Sequence, residues 1–271
     1  MHIEVDGCEI YADSAGQPFK PEQPSVIFLH GVLNDHSVWA GQISGFAGNG
    51  WNALAVDLPG HGRSAGQPPA SVEDAAAWVI ALLDALSIEH AALVGHSFGS
   101  LIALEAAAQA PQRVDHLVLA GTAFPMRVSP ALLEAALDDP EKGMDLVNRF
   151  SHSALPSSAP DTERYKAARA LMQRVLASNP AVNVFHRGLV ACDRYANGVA
   201  AMAAVGCPTL FLIGQHDRMA APRSARALAA HARQAHSVEL DAGHALMSEK
   251  PDEMRDALRA FLMENVGAQP R

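Results

Sequence analysis

The stretch Gly95-His96-Ser97-Phe98-Gly99 constrains this chain more than any other. It follows a short apolar run, Ala91 to Val94, and precedes Leu101-Ile102-Ala103-Leu104-Glu105-Ala106-Ala107-Ala108. The first segment suits a strand buried on both faces, and the second, rich in alanine and leucine, suits a helix. A Gly-x-Ser-x-Gly link between them leaves room only for a sharp turn. Ser97 then sits at the apex in a strained conformation, with its hydroxyl exposed at the carboxyl edge of a sheet. Gly95 and Gly99 are required because β-carbons there would collide with the neighbouring strand and helix.

The rest of the chain repeats this unit. Ile3–Val5 and Cys8–Tyr11 flank Asp6-Gly7, a two-residue hairpin signal. Ser25–Leu29, Asn52–Val56 and Leu117–Leu119 read as further buried strands, with helices expected over Val38–Phe46 and from an N-cap at Ser71 to about Leu86. Alternation of this kind predicts a mostly parallel sheet flanked by helices. It stops after the sixth strand. From Thr122 to Val205 only helices are expected (130–137, 142–150, 162–176, 185–195), broken by Leu155-Pro156-Ser157-Ser158-Ala159-Pro160. Alternation resumes with the strand Pro208–Ile213, a helix Pro222–Ala232, the strand Ser237–Leu240 and a closing helix from Pro251, before a frayed tail, Gly267 to Arg271. The organisation expected is a core of residues 1–121 and 206–271, with 122–205 as a helical cap over the carboxyl edge of the sheet, where ligands bind.

Composition removes several classes of function. The chain has 271 residues, 49% of them hydrophobic, enough for one substantial core. No apolar run reaches the roughly 18 residues of a membrane span, and Met1–Gly7 carries acids instead of a signal peptide's apolar region. A net charge of −9 without a Lys/Arg cluster argues against nucleic acid or an anionic membrane as partner. Three scattered cysteines, Cys8, Cys192 and Cys207, fit a reducing cytoplasm better than a disulfide framework. There are thirteen histidines, but no pair at zinc-ligand spacing and no H-E-x-x-H, so no metal is expected.

Three chemically distinct groups each follow a predicted strand, in the order Ser97, Asp217, His244. A serine hydroxyl needs a base to take its proton as it attacks. A neutral imidazole suits that task, and a carboxylate fixes its tautomer and stabilises the imidazolium that forms. Asp241 is the rival acid, but it stands too close to His244 in sequence to reach the ring easily. His96 is read as packing and turn support, and His30 as a prop for its own loop.

The chain resembles cap-bearing serine esterases of the α/β-hydrolase fold superfamily. The resemblance covers nearly the whole sequence and rests on His30-Gly31, Asp57-x-Pro-Gly-x-Gly-x-Ser64, Gly95-x-Ser-x-Gly99, Gly214-x-x-Asp217 and Gly243-His244. It implies an α/β-hydrolase fold, a Ser97-His244-Asp217 triad, and an oxyanion hole made by the backbone amides of Val32 and Phe98. It implies no cofactor, and a small-molecule acyl substrate: an apolar ester, lactone or thioester of small or medium size. A single glycine followed by Val32 leans toward ordinary acyl chains and away from esters of bulky tertiary alcohols. Serine at 97 disfavours epoxide hydrolases and haloalkane dehalogenases, which place aspartate there. His96 and Ala245 depart from the pattern of carbon–carbon bond hydrolases of ring-cleavage products, which is the alternative enzymatic reading. A ligand receptor on the same fold is the non-enzymatic one.

For the substrate chamber the sequence offers residue types only: Leu33, Phe124, Met126, Phe150 and Met219 near strand ends and cap, beside Val32 and Phe98. Arg149, Arg187 and Arg194 are cap cations that could meet a substrate carboxylate, but solvated surface arginines are the commoner case.

Overall fold

The computed structural model describes residues 1–153 and 162–264. The predicted break at 155–160 and the tail from 267 lie outside them. Eight strands form one sheet: β1 (His2–Val5), β2 (Cys8–Asp13), β3 (Ser25–Leu29), β4 (Asn52–Val56), β5 (Ala91–His96), β6 (Val114–Ala120), β7 (Thr209–Gly214) and β8 (Ala235–Leu240). Their spatial order is β1-β2-β4-β3-β5-β6-β7-β8. The hairpin β1–β2 runs antiparallel, as does β2 against β4, and every later pairing is parallel. Asp6 and Gly7 take positive φ angles of 51° and 76°, the mirror-image turn that a two-residue hairpin needs.

Side chains alternate across the sheet. Ile27, Leu29, Leu93, Leu117 and Phe211 point to one face, into a cluster with α2 (Val72–Ala85) and α3 (Phe98–Gln109). Val26, Phe28, Val94, Val118 and Leu210 point to the other, against Trp39, Ile43 and α11 (Pro251–Glu264). Burial on both faces explains why these strands read as apolar runs without polar alternation. Ser71 accepts a hydrogen bond from Asp74 N at 3.0 Å and caps α2. The buried stripe of α2 runs through Val72, Ala75, Ala76, Val79, Leu82 and Leu83, so Trp78 and Leu86 lie at its margin. The helix expected over 38–46 is instead a 3₁₀ turn (His36–Trp39) and a short α1 (Ala40–Ile43). Gly41 and Gly45 weaken a longer helix, and Phe46 N closes a tight turn onto Ile43 O.

Between β6 and β7 stand α4 (Pro130–Asp138), α5 (Pro140–Ser151), α6 (Glu163–Ser178), α7 (Val184–Arg194) and α8 (Gly198–Ala204). α9 (Pro222–Ala229) and α10 (Leu246–Glu249) follow later in the chain. Helices α4 to α7 share a separate apolar cluster around Met144, Met172 and Phe185. α7 joins both clusters, since Val184, Phe185 and Leu189 belong to this one while Ala191 and Cys192 belong to the main core. α8 lies in the main core through Ala201 and Met202. A buried carboxylate anchors this return: Glu105 on α3 accepts from Tyr195 Oη at 2.8 Å and from Asn197 Nδ2 at 2.9 Å. Tyr195→Phe removes one donor from that carboxylate, and a loss of about 1–3 kcal/mol is expected. Thermal unfolding reads it as a fall of roughly 2–4 °C per kcal/mol; an unchanged midpoint would mean water substitutes without cost. Among the described residues no helix is long and apolar enough to cross a membrane.

Candidate active site

Because β3, β5, β6, β7 and β8 run parallel, their carboxyl ends fall along one edge of the sheet. Ser97 follows β5 with φ 54° and ψ −116°, a conformation that non-glycine residues rarely adopt. The close packing that holds it there is measurable. A β-carbon on Gly95 would lie 2.1 Å from Gly99 O, and one on Gly99 would lie 2.2 Å from Leu29 O of β3. Ser97 N donates to Ala120 O at 2.9 Å, which binds the turn to β6.

Asp217 and His244 are both buried and meet directly, His244 Nδ1 lying 2.7 Å from Asp217 Oδ2. The other carboxylate oxygen accepts from Met219 N at 2.8 Å and from Ala220 N at 2.7 Å. A carboxylate with its second oxygen held by two amides is an acceptor, so Nδ1 carries the imidazole proton. Nε2 is thereby left with a lone pair, able to take a proton from a hydroxyl. Asp241 is engaged elsewhere, with His216 Nε2 at 2.7 Å on the surface. Among the described residues Ser97 Oγ makes no hydrogen bond; Ser97 and His244 line one and the same cavity.

His96 ties the turn to the His244 loop. Its Nε2–H donates to His244 O at 2.9 Å, across 148 residues of sequence. Burial, with the nearby His244 ring adding to it, pushes His96 down to about 3, so the ring is neutral. His30 has a different task. Its Nε2 accepts from Leu58 N at 3.1 Å, so Nδ1 bears the proton that goes to Gly31 O at 2.8 Å. In a planar trans peptide the N–H points opposite to the carbonyl, and His30 therefore fixes the direction of the Val32 amide. That loop abuts the serine, since a β-carbon on Gly31 would lie 3.2 Å from Ser97 Cβ. The Phe98 amide opens α3, which no side chain caps, so it has no intrahelical acceptor.

The cavity measures about 1060 Å³. Val32, Met126, Leu132, Leu171, Met172 and Met219 give it apolar walls, with Phe150 also lining it. Leu33 and Phe124, expected in the chamber, are not on its wall. Leu33 is fully buried in the cluster of α4 to α7, and Phe124 packs edge-on against Tyr195, its ring over Gly198. Proximity to a strand end could not tell which way these side chains turn. Of the cap cations, Arg149 and Arg194 are exposed, which is the commoner case for surface arginines. Arg149, Arg187 and Arg194 are not among the lining residues, and Arg187 Nε binds Pro69 O at 3.0 Å. Arg127, Arg164, Arg174 and Arg218 line the cavity instead. Arg174 is paired with buried Asp35 at 3.0 Å, and Arg218 holds the backbone carbonyls of Arg149 and His152. His152 and Asn148 are lining residues that sequence reasoning missed, because no motif or periodicity marks the end of α5.

Among the described residues Asp35, His36 and Asp57 bring potential metal-ligating atoms within 4.8 Å of one another. These atoms already serve the fold. Asp57 Oδ1 accepts from His36 N and lies 2.8 Å from His36 Nδ1, Oδ2 accepts from Arg63 N, and Asp35 caps the 3₁₀ turn.

The buried histidines set an acid limit to stability. Burial, with the neighbouring His30 ring, lowers His61 to about 4; burial lowers His30 as well, against the raising effect of Asp57. The unfolded chain binds these protons near 6.5, whereas the folded chain refuses them until far lower. Stability is therefore full above 6.5 and falls as the pH drops toward the folded values near 4 and 3. His36 works the other way: burial alone would lower it, but Asp57 raises it, and its contribution fades as the pH rises through the raised value. The lowered groups outnumber it, so the unfolding midpoint is expected to drop between pH 7 and pH 5; a flat profile would contradict the neutral buried rings.

The chain belongs to the alpha/beta hydrolase fold family, whose model matches residues 24–251, and is an α/β-hydrolase enzyme. It is 29% identical over 253 residues, 90% of this chain and 96% of the relative, to the 2-succinyl-6-hydroxy-2,4-cyclohexadiene-1-carboxylate synthase of Salmonella newport (strain SL254). The solved structure of Est816, described as an N-acyl homoserine lactone degrading enzyme, matches with a TM-score of 0.81 and 26% identity, covering 97% of this chain and 100% of the other. A thermophilic esterase matches with a TM-score of 0.79 and 27% identity over 97% of each chain.

Proposed function

We propose that the protein is a serine hydrolase that cleaves small or medium apolar esters and lactones, or thioesters, through an acyl-enzyme. The observation that carries this reading is the buried Asp217–His244 pair, whose imidazole shares a cavity wall with a serine held at a strained turn. His244 Nε2 takes the Ser97 proton as Oγ attacks the acyl carbon, and Asp217 holds the imidazolium that results. The amides of Val32 and Phe98 receive the negative charge on the former carbonyl oxygen. Collapse expels the alcohol, which leaves with the proton from His244. Water then attacks the acyl carbon, His244 takes its proton, and Ser97 leaves with that proton as the acid is released. In the lactone case the alcohol and the acid are the two ends of one product.

The substrate class is supported by the apolar walls, and by the esterase and lactone-degrading enzyme among the solved structures the chain resembles. Helices between 122 and 205 act as the cap in this reading: α7 packs over the loop after β3, where a β-carbon on Gly188 would lie 3.1 Å from Val32 Cγ2. Turnover of p-nitrophenyl esters and of lactones of graded chain length tests the assignment. Hydrolysis that peaks at short or medium chains is expected, and absence of hydrolysis across the panel would overturn it. The relative named as a carboxylate-forming synthase, together with four arginines on the cavity wall, favours a second reading, carbon–carbon bond chemistry on a carboxylate-bearing substrate. Activity on a dienoate ring-cleavage product exceeding that on every ester would decide for it.

A further inference from the structure

The end of α5 is fastened to the two loops that carry Asp217 and His244. Ala245 N donates to Ser151 O at 2.9 Å, and Glu249 accepts from Ser153 N at 3.0 Å and from Gly243 N at 3.2 Å. Arg218, next to Asp217, donates to the carbonyl of His152 at 3.1 Å. His152 is thus mounted on the same frame as the reacting groups, although it comes from a different part of the chain. It lines the cavity and is only 2% exposed.

Its hydrogen bonding is half complete. His152 Nδ1 lies 2.9 Å from Asn148 O, a carbonyl that only accepts, so Nδ1 carries the proton and Nε2 is a bare acceptor. Nε2 is buried and has no partner among the described residues. Asn148 repeats the pattern one turn earlier. Its Nδ2 donates to Tyr165 O at 2.9 Å, which fixes the amide orientation and leaves Oδ1 as the acceptor, also buried and unpartnered. Asn148 is 1% exposed and lines the cavity as well. Each such group carries a cost of desolvation that a ligand donor recovers. Two unpartnered acceptors side by side discriminate by where a substrate carries a donor, which apolar contacts cannot do.

We propose that His152 Nε2 and Asn148 Oδ1 form a specificity site for a hydrogen-bond donor on the substrate, an amide N–H or a hydroxyl, beside the ester or lactone group that Ser97 attacks. The substrate class narrows accordingly, from any apolar acyl compound to one that carries such a donor within reach of the scissile bond. The inference rests on the serine hydrolase reading for the position of that bond, but its test does not depend on turnover.

Binding to the Ser97→Ala variant, measured by calorimetry, compares matched esters that differ only in the donor. N-hexanoylglycine methyl ester against its N-methyl form reads the amide, and methyl 3-hydroxyhexanoate against its methyl ether reads the hydroxyl. The donor-bearing member of one pair is expected to bind roughly ten- to a hundredfold more tightly. Adding His152→Phe, which keeps a ring beside Tyr165, is expected to bring that ratio close to one while the donor-free ester keeps its affinity. Equal affinities within both pairs, a ratio indifferent to His152→Phe, or no binding of either donor-bearing ester would overturn the site. Reactivity of Ser97 itself, read separately with a phosphonate, shows whether the hydrolase reading stands.

Discussion

Replacing His244 by alanine is expected to lower kcat for ester hydrolysis by about 10⁴-fold or more, with the protein still folded. A serine hydroxyl at neutral pH gives up its proton only to a base within reach, and among the described residues that line the cavity His244 is the histidine whose Nδ1 is held by a carboxylate, Asp217 at 2.7 Å, which leaves its Nε2 lone pair free. His96 cannot substitute, since its Nε2–H is spent on His244 O. His30 is occupied at both nitrogens. The residual rate should reflect the Val32 and Phe98 amides alone. Thermal unfolding must accompany the kinetics, because the His244 backbone also anchors His96. A variant that unfolds normally yet loses less than tenfold would remove His244 from the base role.

Gly95→Ala should cost stability rather than chemistry, by about 3 kcal/mol or more. A β-carbon at this position would stand 2.1 Å from Gly99 O and 2.6 Å from Ser100 N, inside the first turn of α3. Both obstacles are backbone, so no rotamer change relieves them, and either β5 or α3 must move. That shift would also release Ser97 from φ 54°. Failure to accumulate as soluble protein, or a fall in the unfolding midpoint of roughly 6–12 °C, is expected. A midpoint within a degree of the parent would mean that the turn is far softer than its contacts imply.

The parts of the molecule that could be read from residues alone are those where local chemistry and the global fold demand the same thing. Buried parallel strands show as apolar runs, Asp6-Gly7 shows as a hairpin, and Ser97, Asp217 and His244 each follow a strand whose neighbours are parallel to it. The α8 helix was missed because Gly198-Val199-Ala200-Ala201-Met202-Ala203-Ala204 has no polar face to set a period. Leu33 and Phe124 were placed on the wrong surface because strand-end position says nothing about side-chain direction: Leu33 takes φ 56° and turns into the helical cluster. His152 and Asn148 are legible only in three dimensions. What distinguishes them is an acceptor without a partner, which requires knowing where every neighbouring donor has gone. The arginines that do line the cavity are not legible in the sequence for a similar reason, since pairing with Asp35 or with backbone carbonyls depends on segments that meet far from each other in sequence.

Mass spectrometry of the intact protein after exposure to a fluorophosphonate tests the central claim most directly. One phosphonyl group should be found, located on Ser97 by peptide mapping, and none should be taken up by Ser97→Ala under the same conditions. An unlabelled parent protein, or a label borne by another residue and retained in Ser97→Ala, would contradict the assignment of this serine as the nucleophile.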